Sequence, residues 1–304
     1  MAREIRREPI FGLPTPLLFA HRGGVREAPE STVKGFTHAL EARADVLELD
    51  VHLTKDGAFV VWHGPELYNV RIEGQSDHPS KRPDDRKKIY DYDWRELHNK
   101  AWVADPEIID LPEDEIDLSA VAKDEDRLLL LLSEFMEKFP SSPLNIEMKA
   151  SFRRKINDTN QKGLRDNVRK FSDILDAHSN GRGIVVVSSH DEYLDEFREL
   201  NGDKYATGLS AKEQLSLGLI TSMKNRALET SYSRLTSSKI RIKRVRHLGG
   251  SSFVFLTSFG PIPSIDIDPQ EEDIFEILDR GVDGIMTDRP KRLREIMDKW
   301  QQSH

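Results

Sequence analysis

The sequence predicts an α/β fold in which parallel strands are joined by helical crossovers. Two observations carry this. Short apolar runs of strand length alternate with segments whose apolar residues recur at helical spacing, the order produced when each strand is followed by a helix packed back on the sheet. The 304 residues, 37% hydrophobic and 32% charged, suit one large globular domain, or one domain carrying an insertion. Residues 1–304 are therefore read as a single domain.

Strands are expected near 16–20, 46–53, 58–63, 143–148, 183–188, 204–209, 240–245, 253–257 and 284–287. Between them, Ser31 to Glu41 sets Val33, Phe36, Ala39 and Leu40 at helical spacing. Asp191 to Leu200 repeats the pattern with Tyr193, Leu194, Phe197 and Leu200. A helix is expected from Pro269 to Arg280, with Asp268 as N-cap, Pro269 at N1, Glu271 at N3 and Gly281 as the C′ residue. Another starts at Pro290, with Leu293, Ile296, Met297 and Trp300 on one face. Leu128 to Leu132, the longest apolar run, reads as helix. Residues 65 to 125 break the rhythm: Gln75 to Lys88 is polar, and Glu113 to Arg127 is mostly acidic. They read as an insertion or a long active-site loop, either a cap over the site or surface decoration.

A net charge of −8 weighs against bulk attraction to nucleic acid, so an anionic substrate must meet a local positive site or a metal. The absence of cysteine excludes disulfides, thiolate zinc sites and cysteine nucleophiles. The charged N-terminus is followed by no secretory apolar region, and no apolar run approaches the ~20 residues of a membrane span. The expectation is a cytoplasmic protein without a transmembrane segment. Lys239 to Arg246 reads as a basic strand with alternating apolar residues through Lys243. Its plain reading is a solvated strand face; the other is transient contact with an anionic headgroup or membrane surface.

The chemistry concentrates between Phe19 and His63. His21-Arg22-Gly23-Gly24 follows an apolar strand, which puts both side chains at a strand's C-terminal end. Arginine's planar fork suits phosphate oxygens, and glycine lets backbone approach a ligand closely. The plainer alternative is a histidine bonded to backbone at a strand end. Glu48 and Asp50 stand two apart in an apolar strand and so share a face. Lys55-Asp56-Gly57 signals a hairpin; with a two-residue turn, Asp50 lies opposite His63. A three-residue turn with a bulge would put Trp62 there instead. Two carboxylates on one face repel unless a cation lies between them, and oxygen ligands suit Mg²⁺ or Ca²⁺. The alternative is a pair that is solvated or neutralised by a base such as Arg22. Glu147 and Lys149 also stand two apart, adding a third carboxylate and an ammonium, or else a structural ion pair.

Taken in order, HRGG…PEST, LELDVHLTKDG, VVWH, IEMK and GVDGIMTDRP (281–290) resemble the glycerophosphodiester phosphodiesterase family, over roughly residues 17–292. The resemblance implies a (β/α)8 TIM-type barrel with a small insertion after the second histidine, where the rhythm breaks here. It implies that His21 and His63 are the general acid/base pair, that Glu48, Asp50 and Glu147 bind one divalent cation, Mg²⁺ or Ca²⁺, and that Arg22 and Lys149 hold the phosphate. Asp283 and Asp288 are read as structural, Asp288 as a cap. Two departures stand out. Gly64 replaces the family's Asp, which implies altered loop geometry without loss of activity. The segment Ile262 to Asp268 lacks the family's tryptophan, which puts substrate preference in question. Ser188-Ser189-His190 stands where the family has Ser-Phe, and His190 is read as a strand-end residue.

The implied activity is metal-dependent hydrolysis of a glycerophosphodiester to glycerol phosphate and an alcohol. Two other readings stay open: a lysophospholipase D acting on lysophospholipid, and a catalytically silent binder of phosphorylated headgroups. Which histidine is acid and which base, and whether water or a substrate hydroxyl attacks, are open at this level.

Overall fold

The computed structural model describes residues 9–67, 69–75, 88–108, 111, 115–153, 160–231, 237–256 and 269–303. Eight parallel strands form a closed barrel: β1 (Leu17–Ala20), β2 (Val46–Leu53), β7 (Leu144–Met148), β8 (Ile184–Val187), β9 (Ala206–Gly208), β10 (Arg226–Ser231), β11 (Ser251–Phe255) and β12 (Gly284–Thr287). Closure comes from β1, which pairs with both β12 and β2. Between β2 and β7 lie β3 (Phe59–Val61), antiparallel to β2, the small hairpin of β4 (Val70–Ile72) and β5 (Ala101–Val103), and β6 (Leu130–Leu131), which extends the sheet beyond β3. The helices are α1 (Val33–Glu41), α2 (Trp94–Leu97), α3 (Leu132–Lys138), α4 (Asn160–His178), α5 (Asp191–Asn201), α6 (Ala211–Leu215), α7 (Lys239–His247), α8 (Glu271–Asp279) and α9 (Pro290–Ser303). The chain is thus a (β/α)8 barrel.

Alternation along each strand separates two kinds of interior. Leu47, Leu49 and Val51 of β2, with Leu144, Ile146 and Met148 of β7, face outward into the layer beneath the helices. Leu18 and Ile285 do the same on the other side. The opposite faces fill the barrel's lower half: Leu17, Phe19, Val46, Val185, Phe253 and Met286 form an apolar plug. Phe11 closes it from below, its ring 5.7 Å from that of Phe19, which packs 4.6 Å from Phe253. One step further along the same strands the inward positions turn polar, and that is where the site sits.

Several elements differ from the sequence reading. Lys239 to Arg246 is a helix. Ile242 and Val245, three apart, are buried while Ile240 is exposed, so the apparent alternation was one face of a helical stripe. The sixth barrel strand is Arg226–Ser231, which the sequence reading passed over. Leu130–Leu131 are extended, and helix α3 begins only at Leu132. Helix α8 begins at Glu271 with Gln270 as N-cap, whose N–H donates to Asp273 at 3.1 Å; Asp268 lies outside the described residues. Gly281 takes φ 80°, as a C′ glycine does. Helix α1 starts two residues later than Ser31, capped by Thr32, whose Oγ1 accepts the Gly35 N–H at 3.1 Å. In α9, Leu293, Ile296 and Met297 are buried as expected, with Trp300 packed against their cluster.

The described part of the insertion has its own small core: Trp62, Leu67, Val70, Ile72, Ile89 and Leu97 pack together beside β3. It reaches toward the barrel through Asn69, whose Nδ2 donates to Glu30 at 3.1 Å.

Candidate active site

At the end of β1 the chain turns sharply through His21–Gly23. Arg22 lies at φ 51°, a left-handed conformation that costs a non-glycine residue roughly 1–2 kcal/mol. Two bonds hold it there: the Arg22 N–H donates to Glu48 Oε2 at 2.9 Å, and its carbonyl accepts the Ser31 N–H at 2.9 Å. Gly23, at φ 84°, presses on the start of α1. A Cβ there would lie 2.8 Å from the Gly35 carbonyl carbon, so this turn requires glycine.

The strand register assembles the rest. Glu48 and Asp50 on β2 stand beside Asn145 and Glu147 on β7. The Arg22 guanidinium lies between two carboxylates, Nη1 3.1 Å from Glu30 Oε2 and Nε 3.3 Å from Asp50 Oδ2. Lys149 bridges Asp50 Oδ1 at 2.9 Å and Glu147 Oε2 at 2.8 Å. His21 donates from Nδ1 to Asp288 Oδ1 at 2.5 Å and turns Nε2 toward Glu48, 3.9 Å away. Asn145 Nδ2 donates to Glu229 Oε1 at 2.6 Å.

Electrostatics separate these groups. Burial acts to raise the Asp50 carboxyl, but Lys149, His63, Arg22 and His21 outweigh it and hold Asp50 well below the usual carboxylate range. Glu48 goes the other way: burial and the neighbouring Asp50 charge push it well above that range, against the pull of Arg22. Burial, with Glu147 nearby, pushes Glu229 up to about 8. Burial lowers His63 to about 3 and His52 to about 4, so both imidazoles are neutral at pH 7.

The position of His63 corrects the hairpin expectation. Val51 pairs with Val61 and Leu53 with Phe59, and the Trp62 N–H donates to the Asp50 carbonyl at 3.0 Å. The turn Lys55–Gly57 therefore has three residues, with Gly57 at φ 85°, and Trp62 lies opposite Asp50. His63 follows the last paired residues. Its carbonyl accepts from His52 Nε2 at 2.9 Å, while its ring lies near enough to Asp50 for that carboxylate to favour the protonated ring, against the stronger effect of burial.

His21, Arg22, Glu48, Asp50, His63, Glu147 and Lys149 are thus brought to one end of the barrel. Among the described residues, no three carboxylate or imidazole groups stand at metal-ligand spacing. The Lys149 ammonium occupies the gap between Asp50 and Glu147. Asp288 is not merely a cap, as the sequence reading had it, because its carboxylate binds the catalytic candidate His21 directly. Glu30, Asn69 and Glu229 were missed. Glu30 lies in the PEST stretch quoted for the resemblance, but nothing in sequence ties it to Arg22. His190 caps α5 and packs 4.8 Å from the Tyr193 ring. The tryptophan-lacking segment lies outside the described residues.

A parallel barrel whose mouth gathers an arginine, a lysine, two histidines and buried carboxylates is an enzyme scaffold shaped for an anionic group. The chain belongs to the glycerophosphoryl diester phosphodiesterase family, whose pattern matches residues 21–292, and it is a phosphoric diester hydrolase. It is similar to lysophospholipase D GDPD1 of Homo sapiens, 25% identical over 298 residues, spanning 91% of this chain and 85% of that protein. Two solved structures share the fold. A glycerophosphodiester phosphodiesterase from Agrobacterium tumefaciens has a TM-score of 0.63 at 17% identity, covering 92% of this chain and all of that one (100%). An Oleispira antarctica phosphodiesterase, solved in complex with the product sn-glycerol-3-phosphate, has a TM-score of 0.60 at 17% identity, covering 93% and 97%.

Proposed function

We propose that this protein hydrolyses glycerophosphodiesters to glycerol phosphate and a free alcohol, with a divalent cation and two histidines. The observation that carries the reading is the surrounding of one buried carboxylate, Asp50, by two cations, Arg22 and Lys149, with His21 and His63 close by. The cations are placed to grip phosphate oxygens and the imidazoles to move protons. His21 commits Nδ1 to Asp288, so Nε2 is its proton-exchanging atom. One histidine takes the proton of the attacking hydroxyl, and the other returns a proton to the leaving alkoxide. The attacking group is water or the substrate's own adjacent hydroxyl.

By chemistry the donor set suits a hard cation, which would have to displace the Lys149 ammonium from the gap between Asp50 and Glu147. Glu48 and Asp50 bury two carboxyls side by side, and Asp50 Oδ2 is ion-paired with Arg22 Nε at 3.3 Å but accepts no hydrogen bond. Glu48, Asp50 and Glu147 would hold Mg²⁺ or Ca²⁺. When bound, the ion supplies neutralisation of the phosphate and of charge developing in the transition state.

The likeness to a lysophospholipase D over 91% of this chain favours a second reading, in which the substrate is a lysophospholipid. Incubation with glycerophosphocholine and, separately, lysophosphatidylcholine, with products identified by mass spectrometry, tests both. Glycerol phosphate from the first substrate supports the main reading. Lysophosphatidic acid from the second alone supports the alternative. Binding without product from either, with both ions tried, would leave only a silent headgroup binder.

A further inference from the structure

The basic segment expected to be a solvated strand is helix α7, and its exposed face is not only basic. Ile240, in its first turn, is 83% exposed. Beside it run α6 and the loop that follows: Arg241 Nη2 reaches the Gln214 carbonyl at 3.4 Å, and Arg244 Nη2 reaches that of Ile220 at 2.9 Å. On that neighbouring stretch Leu215 is 91% and Leu219 84% exposed. The five exposed large hydrophobics among the described residues include these three, and no other is more than 40% exposed. Their neighbours Leu217, Met223 and Val245 are buried in a shared core, so the exposed set is not a frayed end.

The charge around the three is one-sided. Gln214–Leu228 and Ser237–Gly250 contain seven lysines and arginines, two in the first stretch and five in the second, and no Asp or Glu, in a chain whose net charge is −8. Of the two acids that border the first stretch, Glu213 is occupied by Arg198 at 2.9 Å and Arg226 at 2.8 Å, and Glu229 accepts from Asn145 at 2.6 Å inside the barrel. Lys239 and Lys243 are exposed beside Ile240. Helix α7 follows β10, so its first turn stands at the barrel end that carries His21 and Glu229.

We propose that Leu215, Leu219 and Ile240, framed by Lys239 and Lys243, form a docking surface for an anionic lipid bilayer. Three separate aliphatic side chains bury little area against a rigid protein partner. They suit the boundary between headgroups and acyl chains, where apolar insertion and attraction to anionic lipid add. The position of Ile240 would set the barrel mouth next to the membrane. This docking is independent of which phosphodiester the site cleaves.

The test is co-sedimentation of the full chain with vesicles of phosphatidylcholine alone or mixed with phosphatidylserine. The expected result is sedimentation with the mixed vesicles only, weakened by salt. Two variants probe the two contributions: Leu215→Ser/Leu219→Ser/Ile240→Ser, and Lys239→Glu/Lys243→Glu. Each is expected to reduce vesicle binding about tenfold or more while circular dichroism and melting temperature stay unchanged. No preference for anionic vesicles, or wild-type binding by both folded variants, would overturn the proposal. So would a self-association, seen by analytical ultracentrifugation, that the triple serine variant abolishes.

Discussion

Asp288, just past the last barrel strand, accepts the Nδ1–H of His21 at 2.5 Å across 267 positions of sequence. Burial and its basic neighbours act on the Asp288 carboxylate in opposite senses: burial acts to raise its pKa, and His21, Arg22 and Arg26 outweigh that and hold it low. It therefore remains a charged acceptor that fixes the ring and its tautomer, leaving Nε2 toward Glu48.

Asp288→Asn is expected to lower kcat about a hundredfold with little change in KM, because the amide no longer enforces that tautomer. Asp288→Glu should recover part of the loss. Steady-state kinetics at fixed metal concentration separates this from a packing defect, which would lower the melting temperature instead.

His63→Ala and His21→Ala are each expected to reduce turnover at least a hundredfold while the far-ultraviolet circular dichroism is retained. Near-native activity in His63→Ala would remove it from the proton-transfer chemistry.

Glu30→Gln weakens the ion pair that orients the Arg22 guanidinium. The expected effect is a KM raised about tenfold, with kcat less affected, since Arg22 would grip phosphate from a less defined position.

Glu229 carries a stability signature. Its folded pKa, about 8, lies above the ordinary 4.5, so the folded protein holds a proton that the unfolded chain releases. Stability from this group is full below pH 4.5 and is lost as pH rises from there through 8. Glu229→Gln should therefore melt with the wild type at pH 4 and above it at pH 8, by about 2–4 °C or more. Thermal denaturation at the two pH values, without added metal, measures this.

How much of this was legible in sequence depends on the range of the interaction. Glu48 and Asp50 were readable as a pair because strand alternation is local, and so were Glu147 and Lys149. The register bringing Asp50 beside Glu147 is a parallel pairing over nearly a hundred residues, and only the family resemblance pointed to it. The hairpin was visible at Asp56-Gly57, but its register turned on one residue: Lys55 joins the turn, and Trp62 takes the place assigned to His63. Strand β10 was hidden because Arg226, Glu229 and Ser231 break its apolar run, and Glu229 was hidden with it. In Lys239 to Arg246 the residues Ile240 and Ile242 mimic strand alternation; only burial shows that Ile242 and Val245 are the inner pair. The bonds of Asp288 to His21 and Glu30 to Arg22 have no local signal.

The most direct measurement of the central claim is glycerol 3-phosphate release from glycerophosphocholine by purified protein, after EDTA treatment and again with Mg²⁺ or Ca²⁺ restored. Release is expected to be lost with EDTA and recovered with one of the two ions. Undiminished release in EDTA would contradict the proposed role of Glu48, Asp50 and Glu147 as cation ligands.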